Sequence, residues 1–173
     1  MKTLLATCIG VLGLSLNIAH AATGADSYNI VEKGRYLTTL GDCAACHTLP
    51  GKPMFSGGVV IDTPFGKLLG ANITPDQVTG VGRWSFEDFQ NVMSSGHGLD
   101  GKLLYGAMPY TAYTKVSRED NQAIWAYLKT VDAVDNKVET NQLPFPFSVR
   151  SSLIGWNLLN FKQGEFKPDP QKS

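Results

Sequence analysis

The five residues Cys43-Ala44-Ala45-Cys46-His47 constrain this chain more than any other feature. Two cysteines separated by two alanines, with a histidine directly behind them, admit four chemistries. They are a redox-active dithiol, half of a metal site, a disulfide, or the attachment point of a haem. Each demands a different fold around the same five residues.

The compartment narrows the choice. Met1-Lys2 gives a positive start, residues 4–18 are apolar and uncharged, and Ala19-His20-Ala21 fits a small-residue cleavage site. Residues 1–21 therefore read as a signal peptide cleaved after Ala21. The apolar run falls short of the roughly 20 residues that a spanning helix needs. Thr7 before Cys8, with little apolar sequence ahead of it, makes a poor lipidation site. Cleavage leaves Cys43, Cys46, His47 and His97 as the only cysteines and histidines of a chain exported to the periplasm. A thiol there stays reduced only if something holds it.

With that inventory the alternatives weaken. A thioredoxin-like dithiol follows a strand in an alternating strand and helix pattern, whereas this motif follows a helical pattern. A structural zinc site needs four ligands, and His97 lies far off in sequence. A disulfide across two residues closes almost no loop and stabilises little. Cys-x-x-Cys-His is the attachment signature of c-type haem. Cysteines one helical turn apart each form a thioether to a porphyrin vinyl group, and the adjacent histidine lies beneath the ring to coordinate iron. Ala44 and Ala45 let the backbone approach the ring edge. One covalent haem c is expected on Cys43 and Cys46, with His47 as axial ligand.

The sixth iron position decides between electron transfer and ligand chemistry. Met54 lies seven residues past His47 and is too near to wrap to the far face. Met93 sits in a helical pattern, where methionine is usually core filler. His97 is flanked by glycines and reads as a solvated loop residue. Met108, in Gly106-Ala107-Met108-Pro109-Tyr110, lies in a loop stiffened by proline ahead of a helix, and is the expected ligand.

The chain of 173 residues is long enough for one domain with a core. Its zero formal net charge lacks the basic face that a nucleic-acid binder needs. Helices are expected over 30–40, stopped by Gly41; over 84–93, with Ser85 and Asp88 at capping-box spacing; and from Ser117, with Asp120 repeating that spacing. Residues 49–81 and 99–115, rich in glycine and proline, read as loops. Leu143-Pro144-Phe145-Pro146-Phe147 must be extended. Residues 149–161 suit one more helix, too apolar for a free surface and short of the basic residues of a lipid-binding helix. Docking on protein is expected there in preference to the membrane surface, and no later run is long enough to span a bilayer. The organisation expected is a signal peptide over 1–21, a domain over 22–140, and an extension with a linker-like tail over 141–173.

The order helix, CxxCH, long loop, helix, Met-Pro loop and final helix resembles a class I cytochrome c. That is an all-α fold whose helices and long loops wrap one covalent haem, here with a C-terminal helical extension. Several stretches also resemble the first haem domain of the cytochrome c subunits of membrane-bound bacterial alcohol, aldehyde and gluconate dehydrogenases. They are Gly34-Arg35-Tyr36-Leu37, 42–47, Pro64-Phe65-Gly66, Asn72-Ile73-Thr74-Pro75-Asp76, Trp84 with Phe89, Asp100-Gly101, Met108-Pro109-Tyr110 and Ala126-Tyr127-Leu128. The likeness runs over about 28–166. It implies thioethers at Cys43 and Cys46 and axial ligands His47 and Met108. It also implies an electron carrier between a periplasmic dehydrogenase and a quinone or terminal oxidase. Such subunits commonly carry three haem domains in a row. This chain has one CxxCH, and is expected to be a single-haem relative or a fragment.

The free ring nitrogen of His47 is expected to donate to a carbonyl near Pro50. Arg83 and Trp84 are candidate propionate donors, and Asn72 a loop former or pocket contact. Asp100 and Glu87 carry no acid–base signal, so no catalytic residue is assigned. The competing expectation is a haem peroxidase or gas sensor with an open or labile sixth position.

Overall fold

The computed structural model describes residues 24–168 and 170–171. The expected leader, 1–21, with Cys8 lies outside the described residues. Helix α1 (Gly24–Leu40) is followed by the short α2 (Cys43–His47), a hairpin of β1 (Val60–Thr63) and β2 (Gly66–Leu69), and α3 (Phe86–Ser95). A single 3₁₀ turn (Leu99–Gly101), the short α4 (Tyr110–Tyr113), α5 (Arg118–Leu128) and α6 (Ser152–Asn160) complete the order.

Helix α1 reaches further back than the apolar pattern alone indicates. It ends where expected, with Gly41 N–H donating to Leu37 O at 2.8 Å. Asp42 then takes φ 51, a left-handed conformation that aspartate tolerates better than most residues. This single reversal restarts the chain as α2. Helices α1 and α5 approach so closely at Gly34 that a Cβ there would sit 1.9 Å from Ala123 O. Glycine is required at that contact, and Ala123 opposite it is fully buried.

The helix caps are local chemistry: the Ser85–Asp88 capping box forms in full, and Ser117 caps α5 by the one bond from its own side chain. Ser85 Oγ accepts from Asp88 N–H at 3.2 Å, while Asp88 Oδ2 accepts from Ser85 N–H at 2.8 Å. Ser117 Oγ accepts from Asp120 N–H at 3.1 Å to start α5. The helices so begun bury Phe89, Val92 and Met93 from α3, and Ile124 and Leu128 from α5. Phe55 joins Phe89, Met93, Ile124 and Leu128 in the central cluster, and Phe89 stacks on Trp125 with centroids 5.3 Å apart. Each such side chain contributes roughly 1.5–3 kcal/mol on burial.

Two stretches read as loop carry regular structure. Val60–Thr63 and Gly66–Leu69 pair antiparallel about a two-residue turn, Val60 opposite Leu69 and Thr63 opposite Gly66. The fold is mostly helical with long loops, as expected, and adds one small two-stranded sheet. Strand β2 is held on its other edge by Gln142, through Lys67 N–H to Gln142 O at 2.9 Å and the return bond at 2.8 Å. That pairing lies 75 residues away in sequence (142 − 67) and has no local signal. Tyr110–Tyr113 forms one helical turn inside the second expected loop.

The loop 72–80 is rigid by side-chain chemistry. Asn72 is buried and uses both ends of its amide. Its Nδ2 donates to Thr79 Oγ1 and Val134 O, and its Oδ1 accepts from Thr74 N–H and Oγ1–H. Asn136 returns the tie by donating to Ser56 O at 2.7 Å.

Candidate haem site

Helix α2 is the site's base. Cys43 and Cys46 are free thiols, both half-buried, one turn apart. Burial is the main cause that pushes the Cys43 thiol up to about 11, with smaller pushes from Asp42 and Cys46. A catalytic dithiol needs the opposite shift, towards thiolate at neutral pH. The shift at Cys43 runs against the thioredoxin-like reading. Among the described residues, no three side chains of His, Cys, Asp or Glu gather as a metal-binding group.

His47 closes α2, and its ring is positioned from outside the helix. Nδ1 lies 2.7 Å from Ala71 O, so Nδ1–H donates and the lone pair is left on Nε2, the atom free to bind a metal. Desolvation holds the His47 pKa below its ordinary value, against the opposing pull of the Ala71 carbonyl. The expected partner near Pro50 is thus corrected to Ala71. The cause is the return of the chain after β2: a Cβ on Gly70 would sit 1.7 Å from Cys46 O, so only glycine lets this backbone cross the motif. Gly57 N–H donates to His47 O at 2.8 Å and finishes the seat. Ala71 could not be found from sequence, since a backbone acceptor has no side-chain signature.

Met108 lies half-buried between the 3₁₀ turn and α4. It packs against the central cluster that Cys43 and Ala44 also touch. The CxxCH segment and the Met108 loop thus share one apolar wall. Tyr113 O–H donates to Gly41 O at 2.6 Å, tying α4 to the turn before Cys43.

The other ligand candidates sit elsewhere. Met93 is 4% exposed within the core. Met54 is 55% exposed and lines a cleft of about 360 Å³ with Arg35, Thr38, Asp42, Phe55 and Tyr127. His97 is exposed, with Nδ1 3.0 Å from Ser95 Oγ. Arg83 is exposed on the entry to α3, and Trp84 is half-buried with its backbone N–H on Val81 O at 3.1 Å. The Asn72 amide is engaged with protein, as described above.

These donors fit a c-type haem: two thiols a turn apart, an imidazole with its tautomer set by a backbone carbonyl, and a thioether on the same apolar wall. The family model described as Cytochrome c matches residues 31–132. A nicotinate dehydrogenase subunit of Pseudomonas putida is 43% identical over 156 residues, which cover 90% of this chain and 13% of that protein. The gluconate 2-dehydrogenase cytochrome c subunit of Pantoea cypripedii is 39% identical over 172 residues, covering 98% of this chain and 36% of that protein. A diheme cytochrome c-type protein of Cereibacter sphaeroides is 31% identical over 150 residues, 81% of this chain and 51% of that one. The chain spans little more than a third, or less, of the first two relatives.

Proposed function

The chain belongs to the cytochrome c family, and from that premise we propose that it is a periplasmic one-electron carrier with a single His/Met-ligated haem c. Cys43 and Cys46 would hold the group by thioethers, and His47 and Met108 would ligate its iron. When bound, the haem supplies an Fe(III)/Fe(II) couple. The chain's residues set where and how that couple works.

The observation that carries this reading is the His47 Nδ1 bond to Ala71 O at 2.7 Å. It presents Nε2 in the metal-binding tautomer and raises its basicity. Met108 supplies a soft ligand, which raises the potential relative to a bis-histidine site. With His47 and Met108 both ligating, the protein would leave no place for peroxide or a diatomic gas. Arg83 and Trp84, at the entry to α3, are proposed to hold the propionates. Asn72 serves the pocket indirectly, by fixing the loop that follows Ala71.

The relatives' names support a dehydrogenase as electron donor: gluconate 2-dehydrogenase, fructose dehydrogenase and alcohol dehydrogenase (quinone) cytochrome subunits. The carrier passes its electron on to a quinone or terminal-oxidase chain. Among the described residues no helix is long and apolar enough to cross a membrane. Association is proposed to use α6 instead, where Ile154, Leu158 and Leu159 are 55%, 81% and 86% exposed and no residue of Ser152–Asn160 is charged.

The test is intact mass and visible spectra of protein from a haem-maturation-competent host. One covalent haem, a reduced spectrum of two-thioether type and a methionine-to-iron charge-transfer band are expected, the band vanishing in Met108→Ala. An oxidised protein that lacks the band and binds carbon monoxide quickly once reduced would instead be a peroxidase or gas sensor.

A further inference from the structure

The C-terminal segment does more than offer an apolar face. Its polar contacts converge on the residues around Met108. Tyr105 O–H donates to Phe147 O at 3.0 Å, and Arg150 lies over the Tyr105 ring at 4.5 Å while donating to Leu103 O. Tyr110 O–H donates to Asn157 Oδ1 at 2.7 Å, and the Tyr110 ring meets Phe161 edge-on at 5.2 Å. Further along, Gly164 N–H donates to Thr114 Oγ1 at 3.0 Å and Phe166 N–H to Lys115 O at 3.2 Å.

Met108 is wired to the two residues held in this way. Its N–H donates to Tyr105 O at 3.1 Å, and its carbonyl accepts from Tyr110 N–H at 2.7 Å. The tip of the loop has little else: a Cβ on Gly106 would meet nothing within 4 Å. On α6 the inward face is Leu153 and Asn157, continued by Phe161, and the remaining residues of the helix are exposed.

We propose that segment 141–168 is a strap that holds the sixth ligand, with Asn157 and Arg150 as positioning residues for Met108. The proposal rests on Met108 being the axial ligand. A methionine–iron bond is the weaker axial bond, so its retention depends on how firmly the loop is held. The strap clamps that loop on both sides of Met108, at 103–105 and at 110–115. Tyr110 is fully buried, so loss of its acceptor leaves a buried hydroxyl unpaired and loosens the loop from its C-terminal side.

The experiment uses full-length oxidised holoprotein. Cyanide is the probe, because it enters only when methionine leaves. Asn157→Leu and Arg150→Leu are expected to speed cyanide binding roughly tenfold each. They should also lower the pH at which the methionine charge-transfer band is lost. Asn157→Asp, which keeps an oxygen acceptor, and Arg150→Lys should recover most of the wild-type rate. Tyr110→Phe removes the same bond as Asn157→Leu at constant volume, and stands in for it if that variant does not mature. Ser151→Ala, at the exposed entry to the same helix where the side chain makes no capping bond, should bind cyanide at the wild-type rate. Wild-type rates and an unchanged band in Asn157→Leu, Tyr110→Phe and Arg150→Leu would overturn the strap while leaving Met108 as ligand. A wild-type protein without the band would overturn the ligand assignment itself, and the strap's proposed role with it.

Discussion

The Tyr113 hydroxyl donates to the Gly41 carbonyl at 2.6 Å, and so joins the helix after Met108 to the turn before Cys43. These two residues are 72 apart along the chain (113 − 41), and the two halves of the site meet through this bond and the apolar wall beneath it. Tyr113→Phe keeps the ring against the core and removes the donor. It is expected to cost about 1 kcal/mol. In urea unfolding this appears as a lower midpoint with an unchanged slope.

Gly70→Ala tests the crossing that seats His47. The added Cβ would meet the Cys46 carbonyl oxygen at 1.7 Å, and that atom belongs to rigid backbone rather than to a flexible side chain. Either β2 or α2 must move, and the Ala71 carbonyl moves away from His47 Nδ1. A loss of about 2 kcal/mol or more is expected, with a lower yield of covalently bound haem by intact mass. A variant of wild-type stability and haem content would show that the approach is not rigid.

Acid stability has a local source in the 72–80 loop. Asp76 Oδ1 accepts from Thr79 N–H at 2.6 Å, Thr79 O–H at 2.8 Å and Val78 N–H at 3.0 Å. The Thr79 backbone bond is the main reason its pKa lies below the usual carboxylate range. A depressed folded-state pKa contributes stability that is present above the unfolded value, about 4, and is lost as pH falls through the folded value. Asp76→Asn should therefore be less stable than wild type at neutral pH. The gap should narrow as pH drops below about 4, in denaturant melts taken across that range.

Leu159 makes the contrast between stability and association. At 86% exposed it buries almost nothing in this chain. Leu159→Glu is expected to change unfolding free energy by no more than about 0.5 kcal/mol. If the outer face of α6 docks on a partner subunit, the same change weakens co-purification with the proposed dehydrogenase donor. An unchanged complex would place the docking surface elsewhere.

Much of the helical frame and of the thiol–imidazole chemistry was legible locally. Ser85 with Asp88 and Ser117 with Asp120 announce helix starts because a capping bond spans only three residues. Cys43, Cys46 and His47 stand out as a candidate site because their spacing falls within one short helix. The hairpin was hidden because Thr63-Pro64-Phe65-Gly66, read among so many glycines and prolines, looks like continuous loop. The edge partner of that hairpin, Gln142, is a tertiary contact with no periodic signal at all.

The amino-acid sequence by itself determined the short-range matters: where α3 and α5 begin, where α1 stops, and which five residues are the candidates for haem attachment. Only the tertiary structure decided that Ala71 rather than a carbonyl near Pro50 orients His47, and that Asn72 is spent on loop 72–80 and segment 134–136. It also decided that Asn157 and Arg150 reach back to the loop of Met108. The reason is physical. Helix caps and cysteine spacing are bonds between neighbours, so residue identity is enough to read them. A backbone carbonyl facing an imidazole 24 residues away is a bond between segments. It exists because glycine at position 70 lets one chain pass within contact of another.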